Sequence, residues 1–262
     1  MKKEEKPPLY RFEEIIADLR AENGCPWDRK QTHRSLRPHL IEEAYELLDA
    51  IESGDPSSIK EELGDLLLQV YLHAQIAREE GRFTIDDVAE SIIGKIIHRH
   101  PHVFGDERAE NAGEVLERWE ELKKKEKPHR TSILEGLPRG LPALLRAYRM
   151  QQRVSRVGFD WERIEDAEAK LDEEVAEFKE ALASSDRDRI EDEAGDILFS
   201  IVNLLRFMEV NPEEALRGTV EKFGKRFMQV ERRAGESGRT LREMSIDEME
   251  RLWQEAKGDA QR

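Results

Sequence analysis

The chain has 262 residues, with 43 basic and 58 acidic side chains and a net charge of −15, a length that suits two domains of ordinary size. That charge repels a phosphate backbone, so no stable nucleic-acid partner is expected. Charged residues make up 39% against 38% hydrophobic, and no stretch approaches the roughly 20 apolar residues of a spanning helix, so no membrane partner is expected either.

The N-terminal MKKEEKPPLY has no apolar stretch behind its basic residues and does not read as a secretory signal. Cys25 has no second cysteine to pair with, which fits a reducing compartment, and a cytoplasmic location is the expectation. Within Cys25-Pro26-Trp27 the thiol reads as part of a turn, because no histidine and acid are placed to activate it. Almost everywhere else apolar residues recur at three- and four-residue spacing without alternating β-branched runs. The chain is therefore predicted to be all-α.

Two acidic clusters come first, Glu42-Glu43-Ala44-Tyr45-Glu46 and Glu62-Leu63-Gly64-Asp65. A basic pair, Lys95 and Arg99, follows in a histidine-rich stretch that holds His98, His100 and His102. These histidines lack the ligand spacing of a zinc site. After Trp119 the helical pattern breaks at Pro128, Gly136, Pro138, Gly140 and Pro142, which predicts a linker over 126–143 between modules at 1–125 and 144–262.

The second module repeats the first. Glu43 and Glu46 meet Glu174 and Glu177 at an offset of 131, and Glu62 and Asp65 meet Glu193 and Asp196 at the same offset. Lys95 and Arg99 meet Lys222 and Arg226 at 127, and Trp119-Glu120-Glu121-Leu122-Lys123 meets Trp253-Gln254-Glu255-Ala256-Lys257 at 134. Four landmarks in one order indicate a tandem duplication of a helical module.

On a helix turning about 100° per residue, with Ile190 at zero, Glu193 falls near 300° and Asp196 near 240°. Ala194, Ile197 and Leu198 form the apolar stripe beside them. Glu174 and Glu177 take the same flank of the preceding helix, beside Val175, Phe178 and Leu182. The short polar ASSDRD joins the two helices, so they are expected to pack antiparallel with four carboxylates at one edge of the seam. The first copy does the same with Glu43, Glu46, Glu62 and Asp65.

A single Glu-x-x-Glu pair reads as a solvated helix face. Its recurrence on two helices, twice over, reads as a site whose repulsion a cation relieves, and Mg2+ is the natural candidate for an all-oxygen donor set that also meets phosphates. A di-iron centre would need Glu-x-x-His motifs from two helices, and the one such match, Glu126 to His129, falls in the linker. Lys170 and Arg189 each precede an acid by four residues, whereas His39 and Ser58 stand at the aligned positions of the first copy. That asymmetry favours the C-terminal copy for a triphosphate. Lys222 and Arg226 read either as an exposed basic face or as charge for a phosphate, and Trp253 either as packing or as a stacking surface for a base.

The motifs GCPWDRKQTHRSL at 24–36, the EExxE and ELGD clusters, KIIHRHPHVF at 95–104 and VGFDW at 157–161 resemble MazG, a family of all-α nucleoside triphosphate pyrophosphohydrolases. The resemblance covers both repeats. It implies a homodimer that hydrolyses NTPs or dNTPs, aberrant ones included, to NMP and pyrophosphate with magnesium. By matching motif it places metal ligands at Glu174, Glu177, Glu193 and Asp196; through the repeat, Glu43, Glu46, Glu62 and Asp65 are a second candidate metal site. Nucleotide contacts fall on Lys170, Glu173, Arg189, Lys222, Arg226 and Trp253; of these, Glu173, Lys222 and Arg226 are the catalytic candidates. Arg189 stands where the family often has lysine, which keeps the charge but changes the donor geometry. The competing class is a non-catalytic nucleotide- or partner-binding helical dimer with a structural metal site.

Overall fold

The computed structural model describes residues 6–109, 111, 113–115, 118, 119, 122, 126 and 131–259. His129 and residues 120, 121 and 123 of the Trp119 landmark lie outside the described residues, as does the linker stretch 127–130. Among the described residues the regular structure is helical, and the chain divides into two compact units, Met1–Pro128 and His129–Arg262. No helix among them is long and apolar enough to cross a membrane.

In the first unit, α1 (Pro8–Arg20) and the single turn α2 (Pro26–Arg29) precede a helix pair, α3 (Arg37–Ser53) and α4 (Pro56–Glu79). Helix α5 (Ile85–Arg99) and the short α6 (Pro101–Phe104) follow. The core is built from Ile16, Leu36, Tyr71, Leu72 and Ile76, with Phe12, Leu19, Leu67, Leu68 and Ile85 packed against it. The CPWD turn is held down by Arg20. Its nearly buried guanidinium grips both oxygens of Glu79 at 3.0 and 2.8 Å and bonds the carbonyls of Asp28 and Gln31. Gly24 fits here because a Cβ would stand 2.3 Å from the Leu19 carbonyl oxygen.

The second unit begins with the segment 131–142, held on α7 (Ala143–Ser155) where Arg153 donates to the carbonyls of Ile133 and Glu135 at 3.0 Å. Its helix pair is α8 (Ile164–Ser184) and α9 (Arg187–Phe207), followed by α10 (Pro212–Glu236) and α11 (Ile246–Asp259). Helix α9 packs along α8 and against α7, and α10 packs mainly on α11 and α7.

The two helix pairs share a turn down to single atoms. Ser53 Oγ donates to the Ala50 carbonyl at 2.7 Å, and Ser184 Oγ donates to the Ala181 carbonyl at 2.8 Å. The next residue is left-handed in both, Gly54 at φ +69° and Ser185 at φ +56°. Asp55 then caps α4 by accepting from the amides of Ser57 and Ser58, and Asp186 caps α9 by accepting from those of Asp188 and Arg189. Such caps hold the first free amides of a helix, and here they reverse the chain sharply enough to lay each second helix back along the first.

Leu182 and Leu198, expected in the apolar stripe, keep 49% and 54% of their surface. The stripe is wider than the seam between two helices, so an antiparallel pair covers only one side of it.

Candidate metal centre

Within the C-terminal pair, one carboxylate oxygen from each of Glu174, Glu177 and Glu193 comes within 4.8 Å of the others. Glu174 is the one carboxylate among the described residues that is buried, at 5% exposure. Asp196, one turn beyond Glu193, stands outside this trio but within its field: burial, then the charge of Glu174, raises its carboxyl above the ordinary value. Glu177 is raised by burial and by the charges of Glu193 and Glu174. An open groove of about 620 Å3 runs along α9 past Arg189, Asp192, Gly195 and Asp196.

Two cations border the trio. Lys170 Nζ lies 2.8 Å from Glu174 and 2.8 Å from Glu173, and these bonds hold its ammonium in the charged form more firmly than usual. Arg189 reaches Glu193 at 3.5 Å and Glu180 at 3.6 Å. Glu180 was not singled out in the sequence. Its signal is weak, since it lies on α8 across the turn from Arg189 and has no partner at helical spacing.

The N-terminal pair gathers Glu43, Glu62 and Asp65 within the same 4.8 Å, with Glu46 outside the group. Glu43 and Glu62 are both raised, first by burial and then by their acidic neighbours, Glu46 included. Its basic surround is thinner. His39, aligned with Lys170, lies 3.6 Å from Glu42 and, among the described residues, forms no ion pair with Glu43. Ser58, aligned with Arg189, bonds the capping Asp55.

Among the described residues Lys222 and Arg226 form no ion pair with these carboxylates, and the ring contact of Trp253 lies elsewhere. Trp253 packs on Phe223 with ring centroids 5.0 Å apart, and Phe223 stacks on Phe227 at 6.0 Å, between α11 and α10. Lys222 and Arg226 lie beside these rings on α10 and form no ion pair among the described residues.

The donor set fits a hard divalent cation, because every candidate ligand is a carboxylate oxygen and the carboxyls are raised by burial and then by the negative charge of their neighbours. Lys170 relieves part of it.

The sequence profile of the MazG nucleotide pyrophosphohydrolase domain matches residues 31–104 and again residues 163–230. The chain is 48% identical over 251 residues to the nucleoside triphosphate pyrophosphohydrolase/pyrophosphatase MazG of Thermotoga maritima, covering 94% of this chain and 96% of that one. It is 44% identical over 240 residues to the nucleoside triphosphate pyrophosphohydrolase of Escherichia coli K12, covering 90% and 91%. A crystal structure of a mazG-related protein from Thermotoga maritima matches 44% of this chain and 98% of its own, at 31% identity and a TM-score of 0.38.

Proposed function

The chain belongs to the MazG nucleotide pyrophosphohydrolase family, and we propose that its C-terminal module, residues 144–262, hydrolyses nucleoside triphosphates, deoxy forms included, to the monophosphate and pyrophosphate with magnesium. The relatives support pyrophosphohydrolase activity in general. The observation that carries the C-terminal assignment is the trio Glu174, Glu177 and Glu193 bordered by Lys170 and Arg189, since the N-terminal trio has a histidine and a serine at those two places.

Glu174, Glu177, Glu193 and Asp196 hold the cation. A magnesium ion held there would supply positive charge against the triphosphate and would favour in-line attack of a water at the α-phosphorus. Lys170 and Arg189 orient the phosphate chain, each already aimed along the flank that carries the acids. Glu173 accepts the proton of the attacking water, its position set by Lys170 at 2.8 Å. Lys222 and Arg226 neutralise the departing pyrophosphate, and Trp253 stacks on the base.

The proposed enzyme is a homodimer, and the last three residues act at its seam. On α10, Leu216, Val220, Phe223 and Phe227 continue a stripe of four- and three-residue spacing that ends in the buried Val230 and Ala234. Its first half is exposed in the single chain, Phe223 at 56%. Closing that seam against a second copy carries Lys222 and Arg226, which flank it, toward a substrate on the carboxylates.

The test is product identity. Phosphorus NMR of ATP and dATP turned over with magnesium is expected to show AMP or dAMP with pyrophosphate. Release of diphosphate and inorganic phosphate, or turnover undiminished by chelator, would contradict the reading.

A further inference from the structure

At the end of α5 Arg99 holds one carboxylate from much further along the same unit, that of Glu126, and the charges of His98 and Lys95 act on it as well. Arg99 Nε donates to Oε1 at 3.0 Å and Nη2 to Oε2 at 2.5 Å, the parallel two-bond grip by which a guanidinium holds a carboxylate or a phosphate. The guanidinium carbon lies 5.8 Å from the centre of the Trp119 ring, and Trp119 meets His100 edge-on at 5.1 Å. The aromatic floor thus helps set where the fork points. Both partners are largely withdrawn from water, with 16% and 22% of their side chains exposed. The Arg99 bonds, with the charges of Arg99, His98 and Lys95, hold the Glu126 carboxyl below its ordinary value.

The second copy is built differently. Lys222 and Arg226 have no ion pair among the described residues, and Trp253 packs on Phe223. The offset of 134 that pairs Trp119 with Trp253 pairs Glu126 with Ala260, which has no charge. At the aligned position the second copy thus carries no carboxylate in its sequence.

We infer that Arg99, with Trp119 beneath its guanidinium and Lys95 and His98 adding charge from the same helix, forms an oxyanion site of the N-terminal unit that the chain's own Glu126 fills, keeping phosphoryl ligands out. A carboxylate and a phosphoryl group present the same two-oxygen edge to a guanidinium, so the ligand class that Glu126 replaces is phosphate or pyrophosphate. The inference stands on contacts within the N-terminal unit and is independent of where catalysis occurs.

The experiment uses the full chain carrying Lys222→Ala and Arg226→Ala, to weaken the C-terminal basic arm, and titrates inorganic pyrophosphate by calorimetry at fixed ionic strength. Adding Glu126→Gln is expected to create one further site per chain or to tighten binding by at least about tenfold, the scale of one charge-assisted hydrogen bond freed for a ligand. Adding Arg99→Gln should abolish the gain, and Glu126→Asp, which keeps the charge, should bind far less than Glu126→Gln. Equal binding before and after Glu126→Gln, or a gain that survives Arg99→Gln, would overturn the inference. If Glu126→Gln does not give a folded chain by its melting transition, Glu126→Ser takes its place with the same two outcomes. Comparison of wild type with the Lys222→Ala, Arg226→Ala parent reports separately on the C-terminal assignment.

Discussion

Lys170 pairs at 2.8 Å with Glu174, the carboxylate most deeply withdrawn from water among the described residues. Its ammonium stands where a cation is most needed and stays reachable from solvent. In the first copy His39, at the aligned position, pairs with Glu42 at 3.6 Å. Two duplicated acidic sites thus differ in the positive charge set beside them.

Lys170→Ala therefore weakens the C-terminal site in a defined way. It is expected to lower kcat/KM for ATP by about 10- to 100-fold, the scale of one lost charged hydrogen bond, whereas His39→Ala leaves it within about twofold. Steady-state kinetics on the two variants checks this.

Acidification should release the metal. Glu177 and Asp196, and Glu43 and Glu62 in the first copy, bind protons more tightly in the folded chain than when free. Cation binding must displace those protons, so magnesium affinity is expected to fall as pH drops from neutral toward the raised carboxyl range. For the metal-free fold the sign reverses. These groups bind more protons folded than unfolded, so their contribution destabilises as pH rises from the ordinary carboxyl value through the raised one. Melting curves with and without magnesium should accordingly converge at low pH and separate toward neutrality.

Ser185 takes a left-handed backbone, φ +56°, where the first copy uses Gly54. Ser185→Gly is expected to stabilise the protein by about 1 kcal/mol, because glycine removes the Cβ strain of that conformation. A denaturant titration with an unchanged m-value and a higher midpoint would establish it.

The exposed half of the α10 stripe is the surface proposed for the second copy. Phe223→Asp should raise the dimer dissociation constant by about 30-fold or more, as expected for a central aromatic anchor, with helicity retained. Sedimentation equilibrium distinguishes this from a chain that is monomeric throughout.

Much of this architecture was legible from residue spacing. The 131-residue offset found the paired acids, and it also relates the buried Ala50 and Ala181 and the two capping aspartates, Asp55 and Asp186. The ASSDRD connection was short enough to force a reversal. Less legible was which three of four acids meet, Glu46 falling out of one group and Asp196 out of the other. Helical angle alone separates flanks by tens of degrees and cannot resolve rotamers a few ångströms apart. Leu182 and Leu198 followed the stripe in sequence yet stay exposed, because periodicity records which face is apolar and not how much of it one neighbouring helix covers. Glu126 stood out only for its spacing to His129, and nothing pointed to its partner Arg99, which lies 27 residues away with no local spacing to link them.

The central claim is that turnover belongs to the C-terminal carboxylates. The most direct test is pyrophosphate release from ATP with magnesium by wild type, Glu62→Ala and Glu193→Ala, with circular dichroism confirming equal helicity. Glu193→Ala is expected to lose activity by at least about 100-fold, as for loss of a metal-site residue, while Glu62→Ala stays near wild type. Normal release by Glu193→Ala, or a loss confined to Glu62→Ala, would contradict the assignment.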